Sequence, residues 1–274
     1  MSVWQQIATP SDGAAWVTGA SGGIGRALCL SLARRGWEVH ATARRLEALT
    51  DLKAEAEAAG HKGRIVPAPG DVTDLAAMTD IVSAITAARP LALAVLNAGI
   101  YTPMRAQEFR AAVVQKHLDV NVQGVANGLE PVLAHMIGRG AGHVALMASV
   151  AGYRGLPDAT AYSPTKAAVI SMAEALAMDL ASRGVRISVI NPGFVETEAT
   201  SVNDFEMPFL MKAEDAGERI AEGLAKPGFE IRFPVVFALI LRLIGLLPNR
   251  AYIWAVRKAT GWDTVAPRET PPDE

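Results

Sequence analysis

Short apolar runs alternate along this chain with longer segments in which apolar residues recur at helical spacing. The runs predict strands at 14–18, 37–42, 64–68, 91–96, 143–149 and 185–190. Predicted helices cover 24–35, 44–59 and 74–88, and two more carry Asn121 and the pair Tyr162 and Lys166. Uniformly apolar strands that alternate with helices form parallel sheets covered on both faces. The pattern therefore predicts an α/β fold with a doubly wound parallel sheet, whose ligands bind beyond the carboxyl ends of the strands.

The turn after the first predicted strand is rich in glycine. It reads TGASGGIG, with Gly19, Gly23 and Gly25 at positions where a missing Cβ lets the backbone approach a ligand. Amide groups at the start of the following helix make this turn a candidate phosphate site. The spacing matches neither G-x-G-x-x-G nor a P-loop. A plain tight turn is therefore the alternative for these glycines taken alone.

A serine, a tyrosine and a lysine lie close together after the fifth predicted strand. Tyr162 and Lys166 are four residues apart. A helix that starts at Asp158 or Thr160 places both side chains on one face. Because a nearby ammonium favours the phenolate, we expect it to lower the pKa of the tyrosine toward the range of proton exchange at neutral pH. Ser149 adds a hydroxyl that can donate to a carbonyl oxygen. The alternative for the tyrosine and lysine alone is a half-buried ring beside a solvated charge.

Composition predicts a globular protein of one domain. Half of the 274 residues are hydrophobic, which is enough for a large core, and α/β chains of this length commonly fold around one sheet. The net charge of −2 provides no basic surface for nucleic acid. The single cysteine, Cys29, lies in an apolar stretch and indicates neither a disulfide nor metal or thiol chemistry. The first ten residues show no secretory signal, so we expect a cytoplasmic location.

Taken together, these motifs resemble those of the classical short-chain dehydrogenase/reductase family. The resemblance covers about residues 12 to 200. The matching motifs, in the family's order, are TGASGGIG at 18–25, Asp71-Val72, Asn97-Ala98-Gly99, Asn121, Ser149, YSPTK at 162–166 and Pro192-Gly193. The resemblance implies a Rossmann-like fold in a single domain over 1–274, in which residues 194–274 form a substrate lid and a divergent helical C-terminal extension. It also implies an oxidoreductase that uses a nicotinamide cofactor.

The resemblance further implies a role for each motif residue. Tyr162 is the expected general acid of carbonyl reduction, or the base of alcohol oxidation, and Ser149 is expected to polarise the substrate oxygen. Lys166 is expected to hold the nicotinamide ribose, and Asn121 to bind a water through its backbone. The expected cofactor contacts are Gly19, Ser21, Gly23, Ile24 and Gly25 at the pyrophosphate, Asp71 and Val72 at the adenine, Asn97, Ala98 and Gly99 at the adenosine ribose, and Pro192, Gly193 and Thr197 at the nicotinamide. Without the resemblance, Asn121 is an ordinary helix residue and Asp71 a cap or turn.

The end of the second predicted strand favours NADP(H) over NAD(H). A site of this kind that prefers NAD has an acidic residue there to bind the ribose 2′-hydroxyl. This chain has Ala43 at that position, followed by Arg44 and Arg45. A guanidinium at Arg44 can pair with a 2′-phosphate. The alternative is two solvated arginines that open a helix.

Beyond residue 200 the chain departs from the family pattern. The span 196–212, where the family has a mobile substrate lid, is rich in Met and Phe: Phe205, Met207, Phe209 and Met211. These residues suggest an apolar substrate, with simple packing as the alternative. Segment 233–254 is also apolar but is interrupted by Arg242, so it is too short to cross a bilayer. We expect it to pack over the substrate pocket, to be buried in a subunit interface or to lie in a membrane surface. The first two are favoured, because the family commonly forms homodimers or homotetramers.

Two other functions compete with an oxidoreductase that acts on a carbonyl or an alcohol. A non-catalytic protein that senses the cofactor can use the same fold, but it has no need for a proton donor such as Tyr162. A sugar-nucleotide epimerase or dehydratase of the extended relatives is usually longer and has a different glycine spacing. Consumption of NADPH with a simple ketone separates the first function from both alternatives.

Overall fold

In the computed structural model, which describes residues 6–202 and 207–262, a seven-stranded parallel sheet has the strand order β3-β2-β1-β4-β5-β6-β9. Its strands are β1 (Ala14–Thr18), β2 (Glu38–Thr42), β3 (Arg64–Pro67), β4 (Leu91–Leu96), β5 (Gly142–Met147), β6 (Val185–Pro192) and β9 (Glu230–Phe233). A separate parallel pair consists of β7 (Val195–Glu196) and β8 (Met211–Lys212). The predicted doubly wound parallel sheet is thus confirmed.

Helices cover both faces of the sheet. The helices are α1 (Gly23–Arg34), α2 (Leu46–Ala58), α3 (Leu75–Ala88), α4 (Ala111–Leu118), α5 (Gly124–Arg139), α6 (Tyr162–Asp179), α7 (Ala213–Leu224), α8 (Val235–Gly245) and α9 (Asn249–Ala259). One core joins the sheet to α1, α2 and α7, and a second joins it to α3, α5 and α6. Strand β1 serves both cores, because successive side chains point to opposite faces. Ala15 and Val17 belong to the first core, whereas Ala14 and Trp16 belong to the second.

The strand order reverses between β1 and β4, which are neighbours in the sheet. A crevice opens at the carboxyl ends of the strands at such a point. The side chain of Asn97 bridges it, because its Nδ2 donates to the carbonyl oxygen of Thr18 at 2.9 Å. A Cβ at Gly25 would lie 2.2 Å from the carbonyl oxygen of Gly19. Only glycine therefore lets α1 begin so close to β1.

Helices α8 and α9 follow β9 and complete the described part of the chain. The buried residues of α8 are Phe237 and Ala238, which pack against Val150 beside the fifth strand. Neither these helices nor any other helix within 6–202 and 207–262 is long and apolar enough to cross a membrane.

Candidate active site

Apart from Tyr162 and Lys166, which lie on α6, the predicted cofactor residues lie at or just after the carboxyl ends of strands. Gly19, Ser21, Gly23, Ile24 and Gly25 follow β1, Arg44 follows β2, Asp71 and Val72 follow β3, Asn97, Ala98 and Gly99 follow β4, Pro192 ends β6, and Gly193 and Thr197 come after it. Since the strands are parallel, these ends lie along the same edge of the sheet. The structure thus brings them to the edge that contains the crevice between β1 and β4.

The turn between β1 and α1 has the shape of an anion cradle. Its N-cap residue, Gly22, has an extended backbone, and no side chain caps the helix. A Cβ at Gly22 would meet nothing within 4 Å, so the space beside it is open. Gly23 has a φ of +50°, and a Cβ there would lie 2.9 Å from Cγ2 of Thr197. Open amides at the positive end of a helix fit a pyrophosphate, and the first turn of α1 holds no acidic residue that would repel one.

The ends of β2 and β3 bring a positive and a negative side chain together. Asp71 accepts hydrogen bonds from the main-chain N and the Oγ1 of Thr73, at 3.0 and 2.8 Å. The Thr73 amide holds the pKa of Asp71 below its ordinary value, and the charge of Arg44 contributes to the same lowering. Arg44 is exposed, whereas Ala43 is buried. Position 43 thus holds no acidic residue, and the exposed guanidinium of Arg44 follows it at the end of β2.

Asn121 lies in a short π-helix, Asp119–Gln123, that separates α4 from α5. The helix predicted around this residue is therefore present, with a π segment within it, and such segments frequently mark functional sites. The Asn121 side chain is fully buried. Its Nδ2 donates to Ile100 O at 3.0 Å and to Thr165 Oγ1 at 3.1 Å, and its Oδ1 accepts from Ile100 N at 2.7 Å. Both hydrogens of the side-chain amide are donated to these two partners. A water at Asn121 would therefore have to bind the main chain, as predicted for this residue.

Helix α6 begins at Tyr162, and not at Asp158 or Thr160 as the sequence predicted. Asp158 has a φ of +58°, which lies in the left-handed region and prevents a right-handed helix from passing through it. Tyr162 is thus the first residue of α6, and Lys166 follows one turn later on the same face. The expected juxtaposition of phenol and ammonium is therefore present, although the helix starts later.

Ser149 and Gly99 lie beside this pair. The Oγ of Ser149 accepts a hydrogen bond from the main-chain N of Ala151 at 3.1 Å and lies 3.4 Å from the carbonyl oxygen of Pro192. A Cβ at Gly99 would lie 3.3 Å from both Oδ1 of Asn121 and Nζ of Lys166. The residues predicted to be catalytic therefore lie around one point at the ends of β4, β5 and β6.

Burial sets the proton affinities at this point. It raises the pKa of Tyr162 to about 12, although a hydrogen bond donated by Ser149 acts in the opposite direction. It lowers the pKa of Lys166 to about 8. The ammonium lies 5.5 Å from the centre of the Tyr162 ring and donates to Met147 O at 2.9 Å. The predicted lowering of the tyrosine pKa is therefore wrong for this structure, because desolvation of the phenolate outweighs the hydrogen bond from Ser149.

Replacing Lys166 by Met is expected to stabilise the cofactor-free protein at pH 7, because a buried ammonium is removed. The folded pKa of about 8 lies below the ordinary 10.5, so the folded state binds fewer protons than the unfolded state between these values. Stability of the unsubstituted protein therefore rises with pH across that window. The gap corresponds to about 3 kcal/mol, an upper bound for the gain at pH 7. Urea unfolding at pH 7 and pH 10 measures it, and the advantage of the Met variant should shrink at pH 10.

Lys116→Met provides the matched control, since Lys116 is exposed on α4. Its unfolding free energy is expected to change by less than about 0.5 kcal/mol at both pH values. A Lys166→Met variant that is less stable than the unsubstituted protein at pH 7 would mean that the bond to Met147 outweighs the desolvation cost.

Two residues beside the site had no sequence signal. The ring of Tyr101 meets that of Tyr162 edge to face, with centroids 5.1 Å apart. His117 is buried; its Nδ1 donates to Val113 O at 2.8 Å, and its Nε2 accepts from Thr102 N at 3.1 Å. Together with Asn121, this histidine fixes the segment that carries Tyr101. A lone tyrosine in a loop and a lone histidine in a helix match no motif, so only the fold reveals them.

Aromatic residues gather between the predicted lid and α8. The ring centroid of Phe237 lies 5.9 Å from that of Phe194 and 5.7 Å from that of Phe209. A Cβ at Gly193 would lie 3.0 Å from Phe237 Cδ1, so α8 closes against the end of β6. Of the Met and Phe residues predicted to form the lid, Phe205 lies outside the described residues. Met211 is in β8, which pairs with β7.

Comparison with known proteins agrees with this geometry. A model of the short chain dehydrogenase family matches residues 13–206. An uncharacterized oxidoreductase of Myxococcus xanthus is 42% identical over 245 residues, which cover 89% of this chain and 96% of that protein. A short chain dehydrogenase/reductase from Burkholderia phymatum in complex with NAD has a TM-score of 0.75 at 27% identity, covering 85% of this chain and 93% of its own. A single-residue variant of actinorhodin polyketide ketoreductase with NADPH has a TM-score of 0.73 at 25% identity, covering 83% and 97%.

Proposed function

Since the chain belongs to the short-chain dehydrogenase family, we propose that it is an NADP(H)-dependent oxidoreductase that interconverts a carbonyl group and an alcohol. The observation that carries the proposal is the meeting of Ser149, Tyr162 and Lys166 at the ends of β4, β5 and β6. The phenol is hydrogen-bonded to the Ser149 hydroxyl, and the ammonium lies 5.5 Å from the centre of its ring; the phenol is thus a proton donor with two supporting groups.

Each of these residues has a separate role in the reduction of a carbonyl group. Tyr162 donates the proton to the carbonyl oxygen, and Ser149 donates a hydrogen bond to the same oxygen as charge develops on it. Lys166 holds the ribose hydroxyls, and the cradle at Gly22 and Gly23 holds the pyrophosphate. The nicotinamide supplies or accepts the hydride when it is bound. A tyrosine pKa of about 12 keeps the phenol protonated at neutral pH, as a proton donor requires.

The preference for NADP(H) is supported by the end of β2. Ala43 is buried and carries no charge, and the exposed Arg44 lies close enough to Asp71 to lower its pKa. A guanidinium there provides two parallel donors for a 2′-phosphate. The related structures contain NAD in one case and NADPH in the other, so the proposal depends on these residues and not on the family.

The substrate we propose is apolar around its carbonyl group. Phe194, Phe209 and Phe237 form an aromatic cluster at the end of β6, and Phe237 also packs with Val150, next to Ser149. Apolar walls beside a few polar groups are typical of small-molecule sites. A homodimer or homotetramer and a cytoplasmic location remain predictions.

A panel of aldehydes, ketones and steroids with NADPH, and of long-chain alcohols with NADP⁺, tests this function. We expect steady change in the absorbance of the reduced nicotinamide with at least one apolar member, and none with the Tyr162→Phe variant. Cofactor binding without turnover of any member would favour the cofactor-sensing protein. Turnover of a sugar nucleotide without net change in the nicotinamide would favour the epimerase.

A further inference from the structure

The outer side of the two C-terminal helices is apolar and exposed. We call this surface the C-terminal apolar face; its large exposed side chains are Val235, Val236, Leu239, Ile240, Leu243, Leu246, Leu247, Ile253 and Trp254. On α8 they recur at helical spacing, while Phe237 and Ala238 on the other side are buried. Leu246, between the helices, is 83% exposed, and Trp254 is 65% exposed. Proteins that act alone in water rarely expose so many large apolar side chains together, so this face indicates a partner.

Basic residues share the exposed side of α9. Arg250, Arg257 and Lys258 are exposed together with Ile253 and Trp254, at positions that lie on one side of a helix. Arg232 and Arg242 form ion pairs with Glu230 of β9, so the basic character of the face comes from the three residues of α9. The exposed side of α9 therefore presents basic side chains beside apolar ones.

We propose that the C-terminal apolar face binds the anionic surface of a lipid membrane. Helices with an apolar side and flanking Lys, Arg and Trp lie in the interface between headgroups and acyl chains. With 11 residues each, α8 and α9 are too short to cross a bilayer but long enough to lie along it. A second copy fits less well, because both sides of a twofold contact through this face carry basic side chains. Anionic headgroups, in contrast, attract basic side chains.

The face is joined to the segment that carries Ser149 and Tyr162. Nη1 of Arg154 donates to the carbonyl oxygens of Gly245 and Leu247, each at 2.8 Å. Its guanidinium lies 4.0 Å from the ring centroid of Tyr252 on α9, and the Tyr252 hydroxyl donates to Gly155 O at 2.7 Å. The corner between α8 and α9 is therefore fixed to the segment before α6. Membrane contact is thus expected of the folded protein, with the helices in place.

Flotation of the full-length protein with lipid vesicles tests the proposal. We expect it to float with vesicles of phosphatidylcholine mixed with phosphatidylglycerol, and less at high salt. Arg257→Glu combined with Lys258→Glu should lower partitioning by about 25-fold or more, because each basic side chain near an anionic surface is worth about fivefold. Leu243→Ser combined with Trp254→Ala should abolish flotation, because it removes highly exposed apolar side chains from both helices.

Matched variants elsewhere on the surface provide the controls. Met178→Ser removes a side chain that is 73% exposed near the far end of α6 from Tyr162. Lys53→Glu combined with Lys62→Glu makes the same change in net charge at exposed positions outside the face. Both variants are expected to float like the unsubstituted protein.

Three outcomes overturn the proposal. One is a folded protein that ignores anionic vesicles, and another is equal flotation with phosphatidylcholine alone. The third is light scattering that shows an oligomer which the Leu243→Ser, Trp254→Ala variant loses, since a second copy would then cover the face. Circular dichroism checks that each variant folds. If the apolar variant does not fold, the Arg257→Glu, Lys258→Glu variant still decides, because both side chains are exposed.

Discussion

Replacing Tyr162 by Phe is expected to lower kcat by a factor of about 10² to 10⁴, the usual cost of losing a positioned general acid. Only the hydroxyl is removed. The ring keeps its edge-to-face contact with Tyr101, and the glycine cradle is untouched, so cofactor affinity should change by less than about threefold. Steady-state kinetics with the best carbonyl substrate and titration of cofactor fluorescence measure the two quantities. Retention of more than about a tenth of the activity would exclude Tyr162 as the acid.

Two further variants show whether the loss of activity in Tyr162→Phe is due to the loss of the acid. Tyr153→Phe removes a hydroxyl from the same segment, but that hydroxyl donates to Glu230 on β9; we expect its kcat to stay within about threefold of the unsubstituted enzyme and its stability to fall by about 1 kcal/mol. Lys166→Ala should reduce both kcat and cofactor affinity, because the ammonium serves both. Equal losses in the Tyr153 and Tyr162 variants would indicate damage to the segment and not loss of an acid.

The order of strands and helices was readable from the sequence because it depends on local periodicity. Apolar runs such as 91–96 are recognisable whatever surrounds them, and parallel strands then bring their polar ends together. Asn97, Ser149 and Arg44 could therefore be assigned to one edge of the sheet before the structure was known. The π-helix around Asn121 was not predictable, since it depends on the fit of a buried amide between Ile100 and Thr165.

The properties that failed to follow from sequence depend on burial and on long-range contacts. Spacing placed Lys166 beside Tyr162 correctly, but the direction of the tyrosine pKa depends on how much water the fold removes. The left-handed backbone of Asp158 excludes a helix that starts at that residue. The tie between Arg154 and the corner at Gly245 links positions 91 residues apart along the chain. Such long-range contacts cannot be predicted from a local pattern of residues in the sequence.

Combining Ala43→Asp with Arg44→Ala is expected to shift the ratio of kcat/KM for NADPH to that for NADH by about 10² to 10³ in favour of NADH. Loss of a charge-assisted bond to the 2′-phosphate costs about 1.5 to 3 kcal/mol, or about 10- to 150-fold. The new carboxylate repels that phosphate and can accept hydrogen bonds from the ribose hydroxyls of NADH. Because Ala43 is only 9% exposed at the end of β2, the aspartate is held close to the ligand edge.

The Arg45→Ala variant distinguishes a specific contact between Arg44 and the 2′-phosphate from a general electrostatic attraction of that phosphate. It removes the same charge one position later, at the start of α2. If the positive potential alone attracted the 2′-phosphate, Arg44→Ala and Arg45→Ala would weaken NADPH binding equally. A bidentate contact made by Arg44 predicts instead that Arg44→Ala costs at least about tenfold more than Arg45→Ala. Equal use of NADPH and NADH by the unsubstituted enzyme would remove the basis for both expectations, since no 2′-phosphate contact would then be contributing to turnover.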